Sequence, residues 1–170
     1  MKRFTVLVAI FSLLQVFTSS AQLTFVNCKD SLRTANEYEP CGRDYAPVCG
    51  CDEKTYRNEC AAYFWGGLYS GSWTTGTVCG NYDFDFFPTA VYNFPSHLNI
   101  FMKSPGSVVL YIYDSFGRME FSKYYQATYA GQIIQDEIPV QNFLLGIYTA
   151  AVVVGEEIQY KKFAKVTNTN

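Results

Sequence analysis

The stretch Cys41-GRDYAPV-Cys49-G-Cys51-DEKTYRNE-Cys60 decides how the first half of this chain folds. Seven residues separate Cys41 from Cys49, and ten separate Cys49 from Cys60. With Cys28 and Cys79 on either side, all six cysteines of the 170-residue chain lie between positions 28 and 79, and the 91 residues after them hold none. An even cysteine count in a short exported segment points to disulfides. Zinc is the competing use of clustered thiols. Cys49-x-Cys51 lacks the usual knuckle spacing and the only histidine, His97, is distant, so no metal is expected.

The amino terminus agrees with an oxidising destination. Lys2 and Arg3 precede an almost wholly apolar run from Phe4 to Phe17, and Ser19-Ser20-Ala21 offers small residues for a peptidase. This pattern predicts a secretory signal peptide over residues 1–21. A membrane span needs roughly 20 apolar residues, more than this run supplies. No later stretch is long and apolar enough, so no transmembrane segment is expected in the mature chain. Removing Lys2 and Arg3 takes the formal charge from −2 to −4. The remaining basic residues are scattered, which argues against nucleic acid as a partner.

Composition changes after Cys79-Gly80. Residues 22–80 hold the cysteines and many turn formers, in a segment near the size where a core alone is marginal, so covalent staples are expected. Residues 81–93 read as a linker. Beyond them come short β-type runs. His97 to Met102 alternates polar and apolar residues, and Ser107 to Tyr113 is rich in Val, Leu, Ile and Tyr. Asp114-Ser-Phe-Gly117 is a turn. Met119 to Tyr125, Gln132 to Ile138, Gly146 to Val154 and Ile158 to Val166 read as further strands, the last two joined at Gly155-Glu156-Glu157. With 14 Tyr and 14 Phe in the chain, this rhythm predicts an all-β sandwich over residues 94–170.

The cysteine spacing, the Pro47-Val48-Cys49-Gly50 run and the Thr55-Tyr56-x-Asn58-x-Cys60 signature together resemble the Kazal-type serine protease inhibitors, over about Cys28 to Cys79. The resemblance implies a small disulfide-rich α+β module, with Tyr56 packed under a sheet and a short helix from Glu59 to about Trp65 ended by Gly66 and Gly67. It implies Cys41–Cys60 and Cys49–Cys79 bridges, which leaves Cys28 with Cys51; the residues themselves do not reveal connectivity. It makes Arg43 the primary specificity residue, with Arg43–Asp44 as the scissile bond and Gly42, Asp44, Tyr45 and Ala46 flanking the contact. Asn58 matches the family asparagine whose side chain holds the loop carbonyls. An arginine at that position suits trypsin-like enzymes, whose specificity pocket ends in a carboxylate.

Three departures from the family pattern stand out. The usual helix cysteine after Cys60 is missing, with Tyr63 or Phe64 in its place, and Cys51 is extra, as in a bacterial variant of the module. Gly42 adds backbone freedom to a loop that works by rigidity. Glu53 stands where the family commonly has glycine.

From about Phe94 the chain resembles the C-terminal sorting domain of the type IX secretion system. The matching pieces are Leu98-Asn-Ile100, Val108 to Arg118, Leu144-Leu-Gly146-Ile-Tyr148 and Lys161-Lys162-Phe-Ala-Lys165. The family's opening Pro-Asn-Pro is replaced by Tyr92-Asn-Phe-Pro95. This resemblance implies an immunoglobulin-like sandwich and a source among Bacteroidetes-type bacteria. It also implies secretion or attachment to the outer-membrane surface, with the type IX translocon and a sortase-like peptidase as partners. Gly117 and Gly146 would serve turns, and Lys161, Lys162 and Lys165 lie where the translocon is thought to read. As alternatives, the lysines form a solvated strand face, or the domain is an adhesion module that stays attached.

Enzyme chemistry finds no support. There is no nucleophile elbow, phosphate-binding glycine loop or metal-ligand cluster, and no cofactor is implied. His97 reads as a surface residue. The expectation is therefore a secreted Kazal-like inhibitor of trypsin-like serine proteases, against the alternative of a non-inhibitory Kazal-like module that binds a surface protein or glycan.

Overall fold

A computed structural model describes residues 28–30, 32 and 40–167. The expected signal peptide, residues 1–21, lies outside the described residues.

The cysteine module is built on three short strands, β1 (Val48–Gly50), β2 (Thr55–Tyr56) and β3 (Trp73–Thr75), with β1 in the centre and antiparallel to both neighbours. The β1–β2 turn closes through Gly50 N–H to the Lys54 carbonyl at 2.9 Å and Glu53 N–H to the Gly50 carbonyl at 3.0 Å. Glu53 holds a φ of 60°, the left-handed region that glycine adopts at no cost.

The expected helix forms, with its last five residues, Ala61–Trp65, wound as a π-helix. Gly66 N–H closes it onto the Ala61 carbonyl at 2.9 Å, and Gly67 turns away at φ 69°. A Cβ on Gly66 would sit 2.6 Å from Leu68 and from the Tyr56 ring, so glycine lets those side chains pack on the helix end. Val48, Ala62 and Leu68 form the small core, with Tyr56 and Trp73 against it. Bridges join Cys28 to Cys51, Cys41 to Cys60 and Cys49 to Cys79, and no described cysteine is free. Each such bridge in a small domain is worth about 2–5 kcal/mol.

The second half comprises β4 (Tyr82–Phe87), β5 (Ala90–Val91), β6 (Ser96–Met102), β7 (Gly106–Asp114), β8 (Met119–Ala127), β9 (Gln132–Ile138), β10 (Gly146–Val154) and β11 (Glu157–Lys165). One sheet runs β5-β11-β10-β7-β8 and the other β4-β6-β9. Their inward residues share one core. Tyr82, Phe84 and Phe86 come from β4; Leu98, Ile100 and Met102 from β6; Val108, Leu110 and Ile112 from β7; Ala150 and Val152 from β10. The Tyr82 hydroxyl crosses between the sheets and donates to the Val152 carbonyl at 2.8 Å. At the β7–β8 turn, Asp114 accepts from Phe116 and Arg118 N–H, both at 2.9 Å, and Gly117 takes φ 80°. Gly155, at φ 60°, begins the two-residue β10–β11 hairpin turn.

Two readings of the sequence need correction. Residues 81–93 are not a linker: β4 sends Tyr82, Phe84 and Phe86 into the core and turns Asp83, Asp85 and Phe87 outward. Gly146 does not make a turn; it is the first residue of β10, opposite Lys165.

The outward residues of β4 and β6 meet the cysteine module. Phe101 of β6 packs with Tyr45 and Val78 of the module into a separate buried cluster. The module is thus a third layer on the β4-β6-β9 sheet.

Candidate functional site

Residues 41–47 are irregular backbone, neither helix nor strand, and are pinned at three points. Cys41 is bridged to Cys60, Ala46 N–H donates to the Arg57 carbonyl at 2.9 Å, and Cys49 beyond is bridged to Cys79. Between these pins, Gly42, Arg43, Asp44 and Ala46 are exposed while Tyr45 and Pro47 are buried.

Asn58 lies beneath the loop, 5% exposed. Its Nδ2 donates to the Gly42 carbonyl at 3.0 Å and to the Asp44 carbonyl at 3.1 Å, one on each side of Arg43. Its Oδ1 accepts the Ala61 N–H at 2.9 Å, so the same side chain ties the loop to the helix start. A buried amide with two donors and an acceptor all engaged is satisfied in this position and no other. Gly42 also has a local reason: a Cβ there would fall 2.5 Å from the Asp44 carboxylate, which folds back over it.

Arg57 is the functional residue that sequence reasoning missed. Its guanidinium donates to the Arg43 carbonyl at 2.6 Å. The same group lies 3.1 Å from Asp85 Oδ2 on β4 and 5.3 Å from the centroid of the Phe87 ring. Arg43 lays its own guanidinium over that ring, at 4.7 Å. Arg57 Nε and Asp85 Oδ2 are buried without an aligned hydrogen bond, so the ion pair lacks full hydrogen bonding. No local pattern marks Arg57; its partners come from a distant strand.

Tyr45 points at the sandwich, with its hydroxyl 3.2 Å from the Asp83 carboxylate and 3.3 Å from the Asp83 carbonyl. Burial first, and the neighbouring carboxylate second, push the phenol far above its ordinary range, so Tyr45 remains a proton donor. Burial also raises the Asp83 carboxyl, against the opposing pull of Lys161 and the bond from Tyr45. Between loop and sandwich opens a cleft of about 690 Å³, lined by Arg43, Asp44, Arg57, Phe87, His97 and Glu137 among others. His97 is exposed at its rim, its Nδ1 3.7 Å from Glu137.

Of the residues expected to carry a sorting signal, Leu144, Gly146, Tyr148 and Lys165 lie together where β10 begins and β11 ends, and Lys161 and Lys162 lie farther along β11. Leu144 is exposed, whereas Tyr148 is buried, donates to the Leu144 carbonyl at 2.8 Å and stacks on Phe163. Strand alternation sends Lys162 outward, away from Lys161 and Lys165. Lys161 approaches Asp85 at 3.9 Å. Lys165 is buried and donates to the Tyr92 carbonyl, so the solvated-face alternative fails for it.

Together these features define a small disulfide-stapled binding module with a propped loop, seated on a two-sheet β-sandwich. Residues 28–62 match the Kazal-type serine protease inhibitor domain, a stretch holding the loop, Arg57, Asn58 and the helix start. The likeness to this inhibitor domain is confined to that stretch. The module's three bridges suit an extracellular setting. Among the described residues no helix is long and apolar enough to cross a membrane. No curated protein matches the chain. Among solved structures, dimeric latent PorU from Porphyromonas gingivalis is 25% identical over 51% of this chain and 9% of that one, with a TM-score of 0.43. A β-glucosidase, EmGH1 from Erythrobacter marinus, is 13% identical over 62% of this chain and 19% of that one, with a TM-score of 0.37. The chain spans less than a fifth of the length of either.

Proposed function

We propose that the module is an inhibitor of trypsin-like serine proteases, bound in the manner of a substrate through Arg43. The observation that carries this reading is Asn58, whose amide holds the carbonyls of Gly42 and Asp44 astride Arg43. A loop already ordered on both sides of its specificity residue loses little entropy on binding. The same bonds keep the new ends together if Arg43–Asp44 is cut, which favours religation over release. The flanking Gly42, Asp44, Tyr45 and Ala46 complete the contact, and an arginine there fits a pocket with a carboxylate at its base. Residues 22–80, produced alone with all three bridges verified, should inhibit trypsin at micromolar concentration or below. Arg43→Leu should lose trypsin and shift preference toward chymotrypsin- or elastase-like enzymes. Absence of inhibition, or rapid irreversible cleavage at Arg43–Asp44, overturns the reading.

The rival, a non-inhibitory binding module, is favoured by one observation: Tyr45 is buried on the sandwich instead of standing free. The trypsin titration separates the two.

For the second half we propose an immunoglobulin-like type IX sorting domain that delivers the module to the outer surface of a Bacteroidetes-type bacterium, through the type IX translocon and a sortase-like peptidase. Exposed Leu144 and Lys162 support a recognition role; Tyr148 and Lys165 support the fold. Because β4 belongs to the sandwich, the deletion that tests export begins after Gly80. Removing residues 81–170 should trap the module in the periplasm, and unchanged export refutes the assignment.

A further inference from the structure

Three contacts engage the inhibitory loop before any protease arrives. The Arg43 guanidinium, which must enter the enzyme's specificity pocket, lies 4.7 Å from the centroid of the Phe87 ring. The Arg43 carbonyl oxygen, which must enter the oxyanion hole, accepts from Arg57 at 2.6 Å. Arg57 is held in turn by Asp85, at 3.1 Å. Tyr45, two residues beyond Arg43 on the leaving side, is 9% exposed, with its hydroxyl on Asp83 and its ring against Phe101. All three partners, Phe87, Asp85 and Asp83, are outward residues of one strand, β4, whose alternate residues are committed to the core. A protease approaching the loop meets the β4-β6-β9 sheet where its own primed-side surface has to go.

Resting on the inhibitor reading above, we propose that the sandwich masks the reactive loop: the docked chain is a latent inhibitor, and it becomes competent when the module lifts off β4. The contact is built to be separable. Its central charge pair leaves Arg57 Nε and Asp85 Oδ2 without aligned hydrogen bonds, and an incompletely bonded buried pair contributes little to holding two surfaces together. The module's own core of Val48, Ala62 and Leu68 and its three bridges do not involve the sandwich. The connection is the short Gly80-Asn81 segment after Cys79, with Gly80 exposed. Apparent affinity for a protease is then the affinity of the open form scaled by the fraction of chains that are open.

Two full-length variants test this, both altering only the sandwich or the connection. Asp83→Ala combined with Asp85→Arg removes the carboxylate partner of Tyr45 and sets a positive charge against Arg57. A twenty-residue Gly/Ser insertion between Gly80 and Asn81 leaves every contact residue intact and dilutes the module from the sheet. Trypsin inhibition is measured for both, and nitration of Tyr45 is followed by peptide mass spectrometry as a readout that does not depend on inhibition. The proposal expects inhibition at least tenfold tighter in either variant than in the parent chain, and Tyr45 nitrated in the variants but spared in the parent. Equal inhibition by parent and variants overturns masking while leaving the inhibitor reading intact. If none of the chains inhibits but Tyr45 becomes reactive on opening, masking stands and the inhibitor reading falls. Inhibition absent and Tyr45 unchanged overturns both.

Discussion

Replacing Asn58 tests the supporting geometry most directly. Asn58→Ala removes two bonds to loop carbonyls, at 3.0 and 3.1 Å, and the acceptor for Ala61 N–H, at 2.9 Å. The loop carbonyls belong to exposed residues that water can reach, so each bond is worth about 1 kcal/mol. Ala61 is 1% exposed, and its orphaned N–H costs about 1–3 kcal/mol. The module should lose about 3–5 kcal/mol in all. If the two loop bonds, about 2 kcal/mol together, are what hold the cut ends in place, cleavage at Arg43–Asp44 should rise about 30-fold. Asn58→Asp separates the two roles. It keeps an acceptor for Ala61 but faces the Gly42 and Asp44 carbonyls with oxygen in place of N–H. In so buried a position the new carboxyl's folded-state pKa is raised, because protonation supplies a donor to the carbonyls. The Asp variant is therefore weakest at neutral pH, and its deficit shrinks as pH falls through that raised value. Guanidinium denaturation of oxidised residues 22–80 measures the stability, and mass spectrometry after trypsin incubation measures the cleavage. A stability loss below about 0.5 kcal/mol, or cleavage of Asn58→Ala at the parent rate, would refute the reasoning.

Four further outcomes follow from the same structure. Glu53→Gly should raise the melting temperature of the module, by about 1 kcal/mol of stability, since it relieves a left-handed φ of 60° on an exposed side chain; an unchanged or lower value contradicts this. Tyr82→Phe should cost the full chain about 1 kcal/mol in urea denaturation, through the lost bond to the Val152 carbonyl at 2.8 Å; an unchanged midpoint contradicts this. Replacing both Cys41 and Cys60 by alanine should cost about 3 kcal/mol and convert the loop into an ordinary trypsin substrate, seen as complete cleavage after Arg43. Asp83 has a raised folded pKa, so it favours the docked chain fully below its unfolded value near 3.8 and loses that contribution as pH climbs through the raised value; Asp83→Asn should flatten the pH dependence of stability from about pH 4 upward, and a parallel curve would contradict the assignment.

Much of the module was legible because its determinants are local. The motif between Cys41 and Cys60 carries a family resemblance, and that resemblance implied two of the bridges and a hold by Asn58 on the loop carbonyls. The strands from Ser96 onward were legible for the same reason, since alternation is a property of adjacent residues. β4 carried that signal too, with Asp83 and Asp85 alternating with Tyr82, Phe84 and Phe86. Those aspartates face outward as polar strand residues should, yet toward the module instead of water. The burial of Lys165 has no local sign in the sequence, because only the β5–β11 pairing brings the Tyr92 carbonyl to its ammonium group.

Tyr56, Arg57 and Asn58 show where legibility stops. They are consecutive, and each serves a different surface. Tyr56 packs on Val48, Ala62 and Leu68 inside the module. Asn58 holds the loop carbonyls. Arg57 holds the carbonyl of Arg43 and the carboxylate of Asp85 together. The roles of Tyr56 and Asn58 are set within the module, and the family resemblance reaches them. Arg57 meets a carbonyl of its own module and a carboxylate of the sandwich at once, and only the second lies across the contact with β4. Arg57 therefore couples the loop to the sandwich without any spacing rule singling it out. In the proposed reading, the features the module shares with the inhibitor domain reside in contacts it makes with itself, and the masking resides in what Arg57, Arg43 and Tyr45 find on β4.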